Sequence, residues 1–297
     1  MIGDLVLWGG NRFMNLIRRL VSAAAAMGTI FVLLYVGARF DVQWVVGLVV
    51  MFVAYLASIE YVQLMKRLGI PLAAPEFLIW VPLLTLSFIF FHGRYAEVVL
   101  MCAIAYQVLR YLGAMPHLMG LNQAAAGVFG LFYIPWLLRY FQLIYLGAVG
   151  QKPHVGAVNA LVVLLMVWGY DAGAYFVGKS LGRHKAFPNV SPNKTWEGVA
   201  GGFLLTVAGG MVGASFSPVW RDLVFWDGFY HLVIVAVLVG GAAQLGDLFA
   251  SKLKRAADVK DSGTFLPGHG GTIDRIDGLL FALPVFYFYF HYIVHFF

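Results

Sequence analysis

The stretch Tyr230-His231-Leu232-Val233-Ile234-Val235-Ala236-Val237-Leu238-Val239-Gly240-Gly241-Ala242-Ala243-Gln244-Leu245-Gly246-Asp247 carries no charged side chain until its last residue. It lies in an apolar run over about 230–250, the length that crosses a hydrocarbon core as a helix. Similar runs occupy about 20–37, 43–65, 76–92, 95–114, 124–146, 156–178, 198–217 and 276–296. They are unbroken and lack the ten-residue alternating segments of a transmembrane barrel. A helix satisfies its backbone groups within one segment, which hydrocarbon requires. The expected fold class is therefore all-α, a polytopic membrane protein with a bundle of about nine transmembrane helices. Composition agrees: 61% of the 297 residues are apolar and 11% charged, where soluble chains carry roughly a quarter charged.

Twenty Lys and Arg against fourteen Asp and Glu leave a net charge of +6, and the position of the cations matters more than their sum. With the N-terminus inside, fifteen of the twenty fall in inside segments; Arg39, Arg94, Arg139, Lys152 and Arg221 fall outside. This bias supports that orientation. A nucleic-acid partner is not expected. The single cysteine, Cys102, excludes an intrachain disulfide and a multi-cysteine metal site. The first run is longer than a signal-peptide core and opens on Ala23–Ala26 where a cleavage site should close it, so it reads as a retained span. The chain divides into N-terminal helices over 1–150 and C-terminal helices with polar loops over 151–297, one integral membrane unit. Gly201, Gly202, Gly209 and Gly210 permit close helix contacts, within the chain or in a homodimer.

Two polar interruptions on the inside face carry the chemistry. The second, from Gly246 to Asp277, holds five carboxylates and five cations, with His269 between Gly268 and Gly270. Carboxylates suit Mg²⁺, Lys and Arg neutralise phosphate oxygens, and glycine lets backbone N–H groups approach an anion. These are the parts of in-line phosphoryl or nucleotidyl transfer. Asp274 and Asp277, three apart, share one face at the start of the last span; Asp247 ends the preceding span, so three carboxylates converge at one depth. The plainer readings are an N-cap for Asp274, a first-turn acid for Asp277 and a paired acid for Asp247.

The first interruption runs from Tyr170-Asp171 through Lys179, Arg183 and Lys185 to Ser191-Pro192-Asn193-Lys194-Thr195-Trp196-Glu197. Asp171 lies inside a span, a functional-site candidate by default. Its neighbouring cations equally suit anionic lipid. Gly173 with Gly178-Lys179-Ser180 satisfies a P-loop pattern, but the segment ends an apolar span and lacks the preceding strand, so the match is read as chance. Thr195 reads as the cap of the next helix.

The run Ser251-Lys252-Leu253-Lys254-Arg255, then Lys260-Asp261, His269-Gly270-Gly271 and Asp274-Arg275-Ile276-Asp277, resembles the signature of phosphatidate cytidylyltransferases, the CDP-diacylglycerol synthases. The stretches around Asp171 and Ser191–Trp196 are also similar to that family, so the likeness covers about 168–290. It implies transfer from CTP to phosphatidate with release of pyrophosphate, with Mg²⁺ and a second, monovalent cation such as K⁺. It implies Asp247, Asp274 and Asp277 as metal ligands or their orienters, and Lys254, Arg255, Lys260 and Arg275 on phosphates, with Asp261 in the same group. His269 would either serve the triphosphate or shape its loop. Asp171, Lys179, Ser191, Lys194, Thr195, Ser251, Gly270 and Gly271 would contact substrate. The resemblance also implies a bacterial inner-membrane protein with its active site on the cytoplasmic face.

This chain departs from the family pattern at Ala172, Ala250 and Thr272. Those departures suit a paralogue transferring CMP to, or phosphorylating, an isoprenoid-type lipid. A transporter is the reading from another class, with Glu60 and Glu97 as its pathway acids. It would need polar groups connecting both faces, whereas here they gather at one.

Overall fold

The computed structural model describes residues 28–40, 42–91, 93, 95–113, 117–147, 153–216, 229–263 and 270–294. The first apolar run is described only from Gly28, and His269 lies outside the described residues.

The described chain is a bundle of helices with one short hairpin. Helix α1 spans Gly28–Arg39 and α2 Gln43–Arg67; α3 (Ala74–Leu78) and α4 (Trp80–Phe91) share the third expected span; α5 is Ala96–Leu112. Helix α6 (His117–Leu131) runs through a π turn at Phe132–Trp136 into α7 (Leu137–Leu146). Helix α8 is Pro153–Leu181, followed by strands β1 (Lys185–Phe187) and β2 (Ser191–Thr195), then α9 (Trp196–Ala214), α10 (Phe229–Ala256) and α11 (Ile273–Phe288) with a second π turn at Tyr289–Ile293. Five stretches are long and apolar enough to cross a membrane by length and composition: 43–67, 117–146, 155–181, 229–256 and 273–293. The protein is an integral membrane protein of all-α class.

The helices differ from the expected spans for local reasons. Pro75 and Pro82 sit in the third run, which breaks at Ile79 into two helices. Pro135 lacks an N–H and falls within the first π turn, where the helical ladder shifts by one residue. Helix α8 runs to Leu181, straight through the Gly173–Ser180 pattern, so no phosphate loop exists there. The β1–β2 hairpin was not expected; three and five residues are too short for alternation to register.

Helix α2 ends where its sequence directs. Gly69, at φ +77°, donates to Lys66 O at 3.1 Å, and Ile70 N–H to Met65 O at 2.9 Å. That is a Schellman closure, and Lys66 and Arg67 complement the helix dipole in the last turn. Pro71 then turns the chain away.

The core gathers α2, α7, α8, α10 and α11 around aromatic contacts of Tyr133 with Phe249 and Phe281. Large apolar side chains such as Leu118, Leu204 and Leu245 point outward, an arrangement that suits lipid rather than water. Helices α8 and α9 meet along glycines: a Cβ on Gly169, Gly198 or Gly209 would stand 2.7 Å from a carbonyl oxygen of the opposing helix. Gly201 and Gly202 also face α8, and Gly210 faces Leu232 of α10. These small residues thus serve packing inside the chain.

Candidate active site

The C-terminal ends of α2, α8 and α10, the starts of α9 and α11, and the hairpin meet at one end of the bundle. Gly246 fixes the closest approach: a Cβ there would collide with the carbonyl oxygen of Asp277. Glycine alone lets α10 lie against the first turns of α11, so Asp247 and Asp277 come to the same place.

Asp247 accepts from Ser251 Oγ at 3.2 Å, one helical turn on, and pairs with Lys194 Nζ at 2.5 Å. Lys194 belongs to β2, so the unexpected hairpin delivers this cation. Asp277 accepts from Gly278 N–H at 2.7 Å. Asp171, Asp247 and Asp277 are within electrostatic reach of one another, with Lys194 and Arg275 acting on Asp171 and Lys254 on Asp277. Acids within reach of one another repel unless a cation stands between them.

Asp274 has a different role from the one its spacing suggested. Its Oδ1 pairs with Lys254 Nζ, and its Oδ2 accepts from Gly271 N–H at 2.8 Å, Ser262 N–H at 2.9 Å and Ser262 Oγ at 3.1 Å. Through these donors Asp274 ties the 261–263 segment and Lys254 to the start of α11. Lys254 is correspondingly buried in that ion pair, side chains 11% and 10% exposed. Gly271 gives its N–H to Asp274, not to substrate. Gly270, at φ +82°, would place a Cβ 2.9 Å from Asp274 Oδ2, so both glycines make room for carboxylates of the protein itself.

The residue missed as part of this site is Glu60. Thr272, the N-cap of α11, makes no cap bond with its own side chain. Glu60 of α2, buried at 5% exposure, accepts from Thr272 N–H at 2.7 Å, Ile273 N–H at 2.9 Å and Ser262 Oγ at 2.7 Å. Its carboxylate thus caps a helix more than two hundred residues away and joins the Asp274 network through Ser262. The only sequence signal was an acid inside a span, which suited a transport pathway equally well.

The remaining expected residues divide. Thr195 is buried and accepts from Gly198 N–H at 3.2 Å, a helix cap and not a substrate contact. Ser191 pairs with Phe187 in the hairpin. Lys179 reaches the Tyr175 hydroxyl at 3.4 Å and its ring, instead of the acids. Arg255 donates to Val259 O at 3.3 Å and is exposed, as are Lys260, Asp261 and Arg275 around the same end. In the first turn of α9, Glu197 steadies the hairpin. The His184 ring at 2.6 Å, then backbone N–H groups including those of Arg183 and His184, hold its carboxylate down at about 2.

Among the described residues no three His, Cys, Asp or Glu side chains stand together as a ready metal cage. Mg²⁺ does not need one: it commonly takes one or two carboxylates and completes its shell with water and substrate phosphates. Asp247 and Asp277, with Asp171 nearby, fit that requirement; Asp274 is engaged by Lys254, Ser262 and Gly271.

A model of the Cytidylyltransferase family matches residues 17–293. The phosphatidate cytidylyltransferase of Bacillus subtilis is 33% identical over 227 residues, 75% of this chain and 80% of the relative. That of Thermotoga maritima is 42% identical over 165 residues, 55% and 57% of the two chains, and that of Haemophilus influenzae 42% over 141 residues, 47% and 48%. The chain thus spans about half the length of the last two relatives. By extent of match and by the residues gathered at one end of its bundle, this chain belongs to the cytidylyltransferase family.

Proposed function

We propose that the chain is a phosphatidate cytidylyltransferase, converting CTP and phosphatidate to CDP-diacylglycerol and pyrophosphate. The observation that carries this reading is the convergence of Asp171, Asp247 and Asp277 with Lys194 at the bundle end that bears Arg255, Lys260 and Arg275. Acids that need a cation beside cations that need an anion are the two halves of a metal–triphosphate site.

A phosphate oxygen of phosphatidate attacks the α-phosphorus of CTP, forming the new P–O bond. The bond to the β-phosphate breaks, and pyrophosphate leaves with the electron pair. Asp247 and Asp277 would hold Mg²⁺, which when bound neutralises charge on the phosphates. Lys194 orients Asp247 by its ion pair and Ser251 by its hydroxyl. Arg255, Lys260 and Arg275, exposed at the rim, draw in the two polyanionic substrates. The charge bias of the sequence turns this end to the cytoplasm, so the site would face the cytoplasmic side of a bacterial inner membrane. A monovalent cation such as K⁺ beside the Mg²⁺ and a homodimer remain parts of the expectation drawn from family resemblance.

The test is pyrophosphate release by the purified full chain with Mg²⁺ and CTP. Release requiring phosphatidate supports the proposal. Release with an isoprenoid phosphate but not phosphatidate, or with ATP in place of CTP, would refute it in favour of a paralogue.

A further inference from the structure

The bundle end away from the acids holds a second polar cavity, about 310 Å³, among Glu97, Arg139, Tyr140, Tyr287, His291 and Tyr292. By the charge bias this end faces outward. The guanidinium carbon of Arg139 stands over the Trp136 ring, 3.4 Å from its centroid, and its side chain is only 12% exposed. Stacking occupies the face of the guanidinium and leaves its edge of N–H donors for other partners. Those donors are poorly served. Nη1 meets Glu97 at 3.4 Å and Nη2 meets the Tyr140 hydroxyl at 3.5 Å, while the buried Nε has no hydrogen-bond partner among the described residues. Across the cavity His291 stacks on Tyr287, with rings 9° from parallel, and its buried Nδ1 is also without such a partner.

Two further features converge here. Trp136 belongs to the first π turn and His291 to the second, and π turns often mark functional positions. A buried N–H without an acceptor, as at Arg139 Nε, is costly to leave unmet. A guanidinium edge and an imidazole lining one cavity suit a tetrahedral oxyanion, whose oxygens can accept from both. Among the described residues Glu97 is the one acid lining the cavity, and its side chain is 66% exposed, so it can turn away when a stronger anion enters.

The geometry points to a phosphate-binding site at the outward end of the bundle, separate from the transferase site, with Arg139 and His291 as its donors and a phosphodiester lipid headgroup or free phosphate as its ligand. The cavity opens beside exposed Tyr292 and Phe288, a setting that lets a lipid reach it from the bilayer.

The test is retention of phosphatidylglycerol by the full chain in native mass spectrometry, against diacylglycerol, which lacks the headgroup, and with inorganic phosphate as competitor. Arg139→Gln is expected to weaken retention about tenfold or more, since it removes charged hydrogen bonds. His291→Phe, which keeps the ring stack, is expected to weaken it less. Glu97→Gln is expected to strengthen it, because the competing anion is gone. Competition by inorganic phosphate identifies free phosphate as an occupant; resistance to it identifies the headgroup. All three variants should keep pyrophosphate release. Equal retention of diacylglycerol and phosphatidylglycerol, or unchanged retention in Arg139→Gln, would overturn the site. If Arg139→Gln fails to fold, Glu97→Gln decides alone: its side chain is exposed, and unchanged or weaker retention overturns the proposal.

Discussion

Glu60→Gln should unseat the start of α11. The wild-type carboxylate accepts three hydrogen bonds, from Thr272 N–H at Oε1 and from Ile273 N–H and Ser262 Oγ at Oε2. An amide keeps one acceptor oxygen and turns an NH2 group toward the other site. Placed best, its oxygen retains Ile273 and Ser262 and leaves Thr272 N–H facing a donor. One buried N–H left unmet costs roughly 1–3 kcal/mol, and losing a negative charge at a helix N-terminus adds about 0.3–1 kcal/mol, more when buried. The expected destabilisation is about 2–4 kcal/mol, read as a lowered midpoint in thermal unfolding of the detergent-solubilised protein. Because α11 also carries Asp277, a displacement near 1 Å would cost on the order of a hundredfold in turnover, read as pyrophosphate release at saturating CTP and phosphatidate. A variant with the wild-type midpoint and turnover within twofold would refute the capping role.

The two acids once taken as equivalent should separate: Asp247→Asn abolishes turnover with little loss of stability, because Lys194 remains partly solvated. Asp274→Asn lowers both, since it strands the buried Lys254 ammonium at a cost of roughly 3–5 kcal/mol; equal midpoints for the two variants would contradict this. Gly246→Ala should destabilise by about 1–3 kcal/mol through its clash with the Asp277 carbonyl, whereas Gly241→Ala in the same helix, with nothing within 4 Å, should stabilise by roughly 0.5–1 kcal/mol; unfolding midpoints moving together would exclude the contact. The Glu197 carboxylate is depressed from 4.5 to about 2, so its hold on the Arg183 and His184 amides is complete above the ordinary carboxylate range and lost as pH falls toward 2. Hydrogen exchange at those amides should therefore stay slow through pH 4, and opening there would show that Glu197 does not secure the hairpin.

What sequence could reveal here depended on distance along the chain. The spans were legible because each is uniformly apolar over its own length, and the Asp247, Asp274 and Asp277 constellation because motif spacing places all three at helix ends on one side. Spacing could not say which acid is already saturated: Asp274 and Asp277 share a helix face, yet only the fold brings Ser262, Gly271 and Lys254 onto the first. The glycines before them suggested phosphate contact because glycine opens space for any anion, and the anions turned out to be carboxylates of the chain. Lys194 was visible as a cation but not as the partner of Asp247, since that pairing needs the short hairpin. Glu60 had no local signature beyond being an acid inside a span, because its partners lie beyond 260.

The reach of Glu60 to Thr272 has a consequence in time. Helix α2 is made early, and its acid must wait for 212 further residues before the amide it accepts from is synthesised. At cellular elongation rates that interval is roughly 10–40 s. Throughout it an ionisable group sits near the end of an inserted span without the donors that later satisfy it, a charge that membranes tolerate poorly. Ribosome-arrested chains ending before 270 should leave Glu60 open to carbodiimide labelling, and finished chains should protect it. Completion of the last helix would then be the event that switches the enzyme on, so no partly translated chain could begin to consume CTP.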